Sequence, residues 1–255
     1  MSTHDAARAS APHPGGAESI EVERKYEAPA DAVMPRAEAF AALGLTLDEP
    51  ETHELRATYF DTPDRALARA GIAVRQRSGG HDAGWHVKQR LAGGVREVAW
   101  APASEVPEAL IAKLYELLES GRDAAGVAAV PLRLEPLAQL RTTRVTTLVR
   151  EAGRAVIELA DDRVLGIDGA AGGVRRAWRE WEAELVAEAN PTLLASIEPL
   201  LLAAGALPSL SFAKIARASG QLVAMARQRG ADPAQISALE ALDADDQARA
   251  RTLEA

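Results

Sequence analysis

Residues 20–29 read IEVERKYEAP. At the two-residue period of a β-strand they place Glu21, Glu23 and Lys25 on one face and Ile20, Val22, Arg24 and Tyr26 on the other. The same alternation of full charges recurs along the chain. Arg75 and Arg77 share a face in GIAVRQRS, opposite Val74, and His86, Lys88 and Arg90 share one in GWHVKQRL, opposite Trp85 and Val87. Glu97 lies opposite Val98 and Trp100, and Arg144 alternates with Val145. Glu158 lies opposite Ile157 and Leu159, and Glu180, Glu182 and Glu184 lie opposite Trp181, Ala183 and Leu185. The bases Lys25, Arg75, Arg77, Lys88 and Arg144 suit the oxygens of a polyanion, arginine through the paired hydrogen bonds of its planar fork. The carboxylates Glu21, Glu23, Glu182 and Glu184 suit a hard divalent cation. Alternate residues of one strand lie ~7 Å apart, so two strands must converge on a shared ion. A metal–triphosphate complex satisfies both sets.

Other devices for the same chemistry are missing. The chain has no G-x-x-x-x-G-K-[ST] run and no H-E-x-x-H, and its five histidines are scattered. It has no cysteine, hence neither a disulfide framework nor a thiolate metal site. The net charge of −8 and the 4% aromatic content argue against a nucleic-acid partner, which calls for basic and base-stacking surfaces. An acidic chain still binds an anion where its bases are concentrated in one cleft. The opening MSTHDAARASAPHPGG lacks the apolar stretch of a secretory signal, and no window holds 18 uninterrupted apolar residues. The expectation is a cytoplasmic protein with no membrane partner, as monomer or homodimer.

The elements that must carry these residues are strands. Eight strand-like runs stand at roughly 20–26, 55–61, 72–78, 84–90, 95–100, 142–150, 154–160 and 178–187. Helical patterns occupy DAVMPRAEAFAALG, SEVPEALIAKLYELLESG with its Leu110, Ile111, Leu114, Leu117 and Leu118 stripe, and NPTLLASIEPLLLAAG between Asn190 and Gly205. Short turns such as SGGHDAG, AGG and EAGR imply antiparallel pairing. Charged faces on so many strands, poor in neutral polar residues, point beyond a merely wetted sheet. They predict an α+β fold: a closed eight-stranded antiparallel β-barrel with a charged lumen and helices packed outside. Trp85, Trp100, Trp178 and Trp181 then fall mostly on the outer wall. Residues 1–18 read as a flexible tail, 19–220 as the working domain, and 221–255 as a helical or disordered tail without a strong apolar face.

Glu21-Val22-Glu23-Arg24-Lys25 matches the E-x-E-x-K opening of CYTH domains, the triphosphate tunnel metalloenzymes, and further motifs follow in order. TYFDTPDRALARAGIAVRQR resembles the segment leading to the family's paired arginines, WHVKQRLAGG supplies Lys88, VREVAW supplies Glu97, and RTTRVTTLV supplies Arg144. IELADD resembles the family's E-x-A-x-D run, giving Glu158 and Asp162, and EWEAEL its late E-x-E pair. SFAKIARA resembles the closing lysine segment, giving Lys214 and Arg217, but has Phe212 and Ala213 before the lysine and Ala218 where glycine is usual.

The resemblance implies an eight-stranded tunnel that hydrolyses tripolyphosphate or thiamine triphosphate, or cyclises ATP. It implies Glu97, Asp162, Glu182 and Glu184 as ligands of Mg²⁺ or Mn²⁺, with Glu21 and Glu23 completing the acidic side. Lys25, Arg75, Arg77, Lys88, Arg144, Lys214 and Arg217 would bind the triphosphate. Glu97, Glu158 and Lys88 are the catalytic candidates, with either Glu97 or Glu158 orienting the attacking water. Spacing from Glu158 favours Asp162 over Asp161, which faces the other way. His86 reads as a hydrogen-bonded structural histidine, and Glu180 as a solvated residue near the mouth. The preferred reaction is tripolyphosphate hydrolysis. The alternatives are thiamine triphosphatase, class IV adenylyl cyclase and a non-catalytic polyphosphate- or nucleotide-binding module.

Overall fold

The structure is a computed structural model, and it describes residues 16–119, 132–169, 173–186, 189–211 and 213–253. Most of the tail expected over 1–18, the end of the helix expected to run to Gly121, and Phe212 lie outside the described residues. In chain order the elements are β1 (Ala17–Glu21), β2 (Glu23–Glu27), α1 (Ala37–Ala41), β3 (Leu45–Leu47), β4 (Glu51–Asp61), α2 (Ala66–Arg69), β5 (Ile72–Ser78), β6 (Gly84–Leu91), β7 (Gly94–Trp100) and α3 (Glu108–Glu119). There follow β8 (Glu135–Glu151), β9 (Arg154–Asp168), β10 (Arg175–Leu185), α4 (Thr192–Ala203), β11 (Leu207–Pro208), α5 (Lys214–Ala218), α6 (Leu222–Gln228) and α7 (Pro233–Thr252). This is a mixed α+β fold with antiparallel pairing. It has two compact units, one of Met1–Ile20 with Ala57–Pro136, the other of Glu21–Arg56 with Leu137–Ala255.

In the first unit the strand order is β1-β7-β6-β5-β4. Register places Val74, Val87 and Val98 in one cross-strand row, and all three are buried with Trp85 and Trp100. The α3 stripe of Leu110, Leu114 and Leu117 covers this face, as the helical spacing predicts. Two-residue alternation therefore leaves Arg75, His86, Lys88 and Glu97 on the opposite face.

In the second unit the order is β4-β8-β9-β10-β2-β11, with β3 on the flank of β8. Its apolar face joins Tyr26, Trp181, Ala183, Leu185, Ile157, Leu159 and Val149 to Phe40 of α1 and to Leu194, Ile197 and Leu201 of α4. The start of α4 is held where expected, with Asn190 Oδ1 accepting from the Thr192 N–H at 3.0 Å. On the same side Arg179 grips Asp161 through two bonds of 2.8 and 2.7 Å. Its remaining amino group donates to the carbonyls of Pro29 and Ala32, at 2.9 and 2.8 Å. That clamp ties the chain after β2 to the sheet.

The sheet departs from the expected eight strands: there are eleven, and neither unit's sheet closes on itself among the described residues. The single run expected at 20–26 is two strands. Strand β1, ending at Glu21, lies beside β7, and from Glu23 the chain pairs with β10, so the run changes partner at Val22. Strands β8 and β9 extend to 17 and 15 residues, because their cross-strand ladder continues to Asp168 beyond the charged segment. No helix among the described residues is long and apolar enough to cross a membrane. Trp181 is fully buried at the centre of the second core. Its replacement by alanine is expected to lower stability by about 3–5 kcal/mol, read as a lower urea midpoint by circular dichroism.

Candidate functional site

Antiparallel register builds the charged face of the second unit row by row. Glu23 of β2 stands opposite Glu184 of β10, which stands opposite Glu158 of β9. The next row runs Lys25, Glu182, Ala160 and Thr146, and the third runs Glu27, Glu180, Asp162 and Arg144. The convergence that a shared cation requires is thus met by three strands, with paired Cα atoms at about 4.5–5.5 Å. Like charges directly opposite one another destabilise a sheet, and Lys25 meets this row at Glu23.

Three bases reach into these carboxylates. Arg144 forks onto Asp162 through bonds of 2.7 and 2.6 Å and donates to Glu182 at 2.6 Å. Lys25 pairs with Glu182 and, at 2.8 Å, with Glu23. Lys214, delivered by α5, lies 2.8 Å from Asp162, 2.6 Å from Glu180 and 2.9 Å from Glu182. Burial alone would raise the Asp162 and Glu182 carboxyls, but Lys214 and Arg144, joined at Glu182 by Lys25, hold both below the ordinary carboxylate range. Burial alone would likewise lower the lysines. Glu182 and Glu23 instead raise Lys25, and Asp162, Glu180 and Glu182 raise Lys214.

The acids here form a hard-cation donor set by chemistry. Ligand oxygens of Asp162, Glu180 and Glu182, all buried, lie within 4.8 Å of one another, and oxygen-only sets suit Mg²⁺ or Mn²⁺. Glu180 is the residue that parity found but misplaced. Expected to be solvated, it is 1% exposed, pairs with Lys214, and accepts from the Trp178 ring nitrogen at 2.9 Å. Trp178 therefore belongs with the charged residues and not to the outer wall, since it is two residues from Glu180 on the same strand. Asp161 and Asp162 face opposite ways as expected, one toward Arg179 and the other toward Arg144.

Glu21 closes β1 and is buried. Arg217, expected at the polyanion, is engaged by protein partners. It is 2% exposed and stacks over the Trp178 ring at 4.8 Å. Its guanidinium is shared between Asp246, at 2.6 and 2.9 Å, and Glu27, at 2.9 and 2.8 Å. With those donors engaged it is a structural anchor. Sequence reasoning missed Asp243 and Asp246 of α7 because they fall on the inward stripe of a helix without a strong apolar face to announce it.

In the first unit the charged face is basic around one acid. Glu97 Oε1 lies 3.0 Å from His86 Nδ1, 3.3 Å from Lys88 Nζ and 3.4 Å from an Arg75 nitrogen. Lys88 stands directly across from Glu97 in register. Arg77, two residues from Arg75 and buried, pairs with Asp82. Burial alone would raise Glu97, but Lys88, the His86 hydrogen bond and Arg75 hold it well below the ordinary range. Burial pushes the His86 ring down to about 4, against the opposing Glu97 bond. Its other nitrogen contacts the Asp82 carbonyl at 2.9 Å, which makes it the hydrogen-bonded structural residue expected.

A pH dependence follows from Asp162 and Glu182. Both are depressed in the folded state, so their stabilisation is complete above the unfolded carboxylate value of about 4 and is lost only as pH falls through the lower folded values. Lys214→Met removes a base common to both and is expected to raise the midpoint of acid unfolding by on the order of one pH unit. An acid titration followed by circular dichroism reads that shift; an unmoved midpoint would contradict the assigned network.

Comparison with known proteins agrees with the motif order. The CYTH domain family model matches residues 19–219. An uncharacterized protein of Mycobacterium tuberculosis is 35% identical over 223 residues, covering 82% of this chain and 42% of that protein. The thiamine-triphosphatase of Homo sapiens is 36% identical over 133 residues, covering 49% of this chain and 52% of the enzyme. The chain thus spans about half the length of the curated relatives it matches, or less. A solved Bacillus halodurans structure, provisionally assigned as an adenylate cyclase, has a TM-score of 0.48 and 20% identity over 78% of this chain and 97% of that one. On the match across residues 19–219, the chain belongs to the CYTH domain family.

Proposed function

We propose that the chain is a metal-dependent triphosphatase that hydrolyses inorganic tripolyphosphate to diphosphate and phosphate. The observation that carries this reading is the interleaving of Lys25, Arg144 and Lys214 with Glu23, Asp162, Glu180 and Glu182 on one sheet face. A polyanion and a cation can exchange into such a network together, each taking over partners that the other sign releases. The human relative's name supports a triphosphate substrate.

In this reading Lys25, Arg144 and Lys214 bind and orient phosphoryl oxygens and neutralise charge as the diphosphate leaves; on the first unit, taken by itself, Arg75, Arg77 and Lys88 form a surface suited to phosphoryl oxygens. Asp162, Glu180 and Glu182 hold Mg²⁺ or Mn²⁺, with Glu23, Glu158 and Glu184 adjoining. When bound, the ion supplies Lewis-acid neutralisation of phosphoryl charge. Glu97 or Glu158 orients the attacking water. A cytoplasmic setting belongs to this proposal.

Inorganic tripolyphosphate ranks first because aromatics make up only 4% of the chain and the four tryptophans are buried. Thiamine triphosphate ranks second, on the human relative. The test incubates the protein with Mg²⁺ and tripolyphosphate, thiamine triphosphate or ATP, and measures phosphate and cyclic AMP. Phosphate release is expected, fastest from tripolyphosphate, with kcat/KM falling about 100-fold or more in Glu182→Gln. Tight tripolyphosphate binding without turnover would leave a binding module, and cyclic AMP would make the protein a cyclase.

A further inference from the structure

The helix α7 lies beyond the residues that the family model matches. It is capped by Asp232 and Gln235, and its inward stripe is Leu239, Asp243, Asp246 and Ala250, half of it carboxylate. Those acids serve α5. Asp246, itself 1% exposed, accepts from Nε and Nη2 of Arg217, and Asp243 accepts from Arg176 Nε at 2.6 Å. Arg176 also donates to the carbonyl of Ala218, the last residue of α5, at 3.2 Å. From below, α5 rests on bare backbone of β9: a Cβ on Gly166 would stand 2.9 Å from the Ala218 Cβ.

A five-residue helix has too few hydrogen bonds to hold itself, so its position is set by what grips it. Lys214 and Arg217 lie one turn apart on that helix. Arg217 faces Asp246 and Glu27, while Lys214 faces Asp162, Glu180 and Glu182. We propose that Asp246 is a positioning residue, which holds α5 through Arg217 so that Lys214 stays among the three carboxylates. Helix α7 is then a strut for the proposed site and touches none of its reacting groups. Only the activity arm of the test rests on the triphosphatase reading.

Trace acetylation of the full chain, read by mass spectrometry, compares Lys214 with Lys25. In Asp246→Ala, Lys214 is expected to label roughly tenfold faster while Lys25 is unchanged. Asp246→Asn, which keeps the shape and removes the charge, is expected to give a smaller rise in the same direction, and it decides the matter if the alanine variant does not fold. Tripolyphosphate hydrolysis supplies the second arm. Asp246→Ala should lower kcat/KM about tenfold, but by no more than about twofold in a Lys214→Met background. Wild-type labelling of Lys214 in the folded variants, or an undiminished loss in the Lys214→Met background, overturns the proposal. Absence of turnover in the wild type sinks the triphosphatase reading, and labelling still decides the positioning role.

Discussion

Burying charge is the constraint around which the second unit is organised. Taking an ion out of water costs several kcal/mol even after relaxation, and only close, well-hydrogen-bonded partners offset it. Asp162, Glu180 and Glu182 are each at most 7% exposed, and they are met by three bases from three separate elements. Lys25 comes from β2, Arg144 from β8 and Lys214 from α5. The balance of three against three makes the cluster tolerable in place. Because every member has partners of the opposite sign, the same groups also suit a ligand that carries both signs.

The two units divide the charge differently. Around Glu97 the first unit gathers Lys88, Arg75 and His86, with Arg77 two residues along the strand. The second sets a row of three glutamates beside its mixed cluster. Phosphate recognition needs the first kind of surface and cation recognition the second. Each surface is backed by its own apolar core, α3 over Val74, Val87 and Val98 in one unit, α1 and α4 over Trp181 and Leu159 in the other.

Salt bridges also do structural work away from that face, and their settings differ. The Arg217–Asp246 pair is buried and hydrogen-bonded on both sides, whereas the Arg227–Glu240 pair, which joins α6 to the same helix, is exposed. Removing one partner of the buried pair leaves an uncompensated ion, whereas an exposed pair contributes ~0–1 kcal/mol. Helix α7 therefore docks through Asp246, Asp243 and an apolar cluster in which its Leu239, flanked by Ile236 and Leu242, meets Ala216 of α5 and Leu222 and Ala226 of α6.

What the amino-acid order determined by itself is parity and identity. Alternation in a strand is a local covalent property, so spacing alone sets Lys25, Arg75, Lys88, Glu97, Arg144 and Glu182 on charged faces. The α3 stripe and the capped start of α4 were legible for the same reason. The motif order from Glu21 to Lys214 sufficed to name the family. Tertiary structure decided which charges meet. The burial of Glu180 depends on register with β9 and on the arrival of α5. The anchoring of Arg217 depends on Asp246, 29 residues further along. The division of the first strand at Val22 depends on two different partner strands. Register and docking are settled by contacts between distant segments, and no local period carries that information.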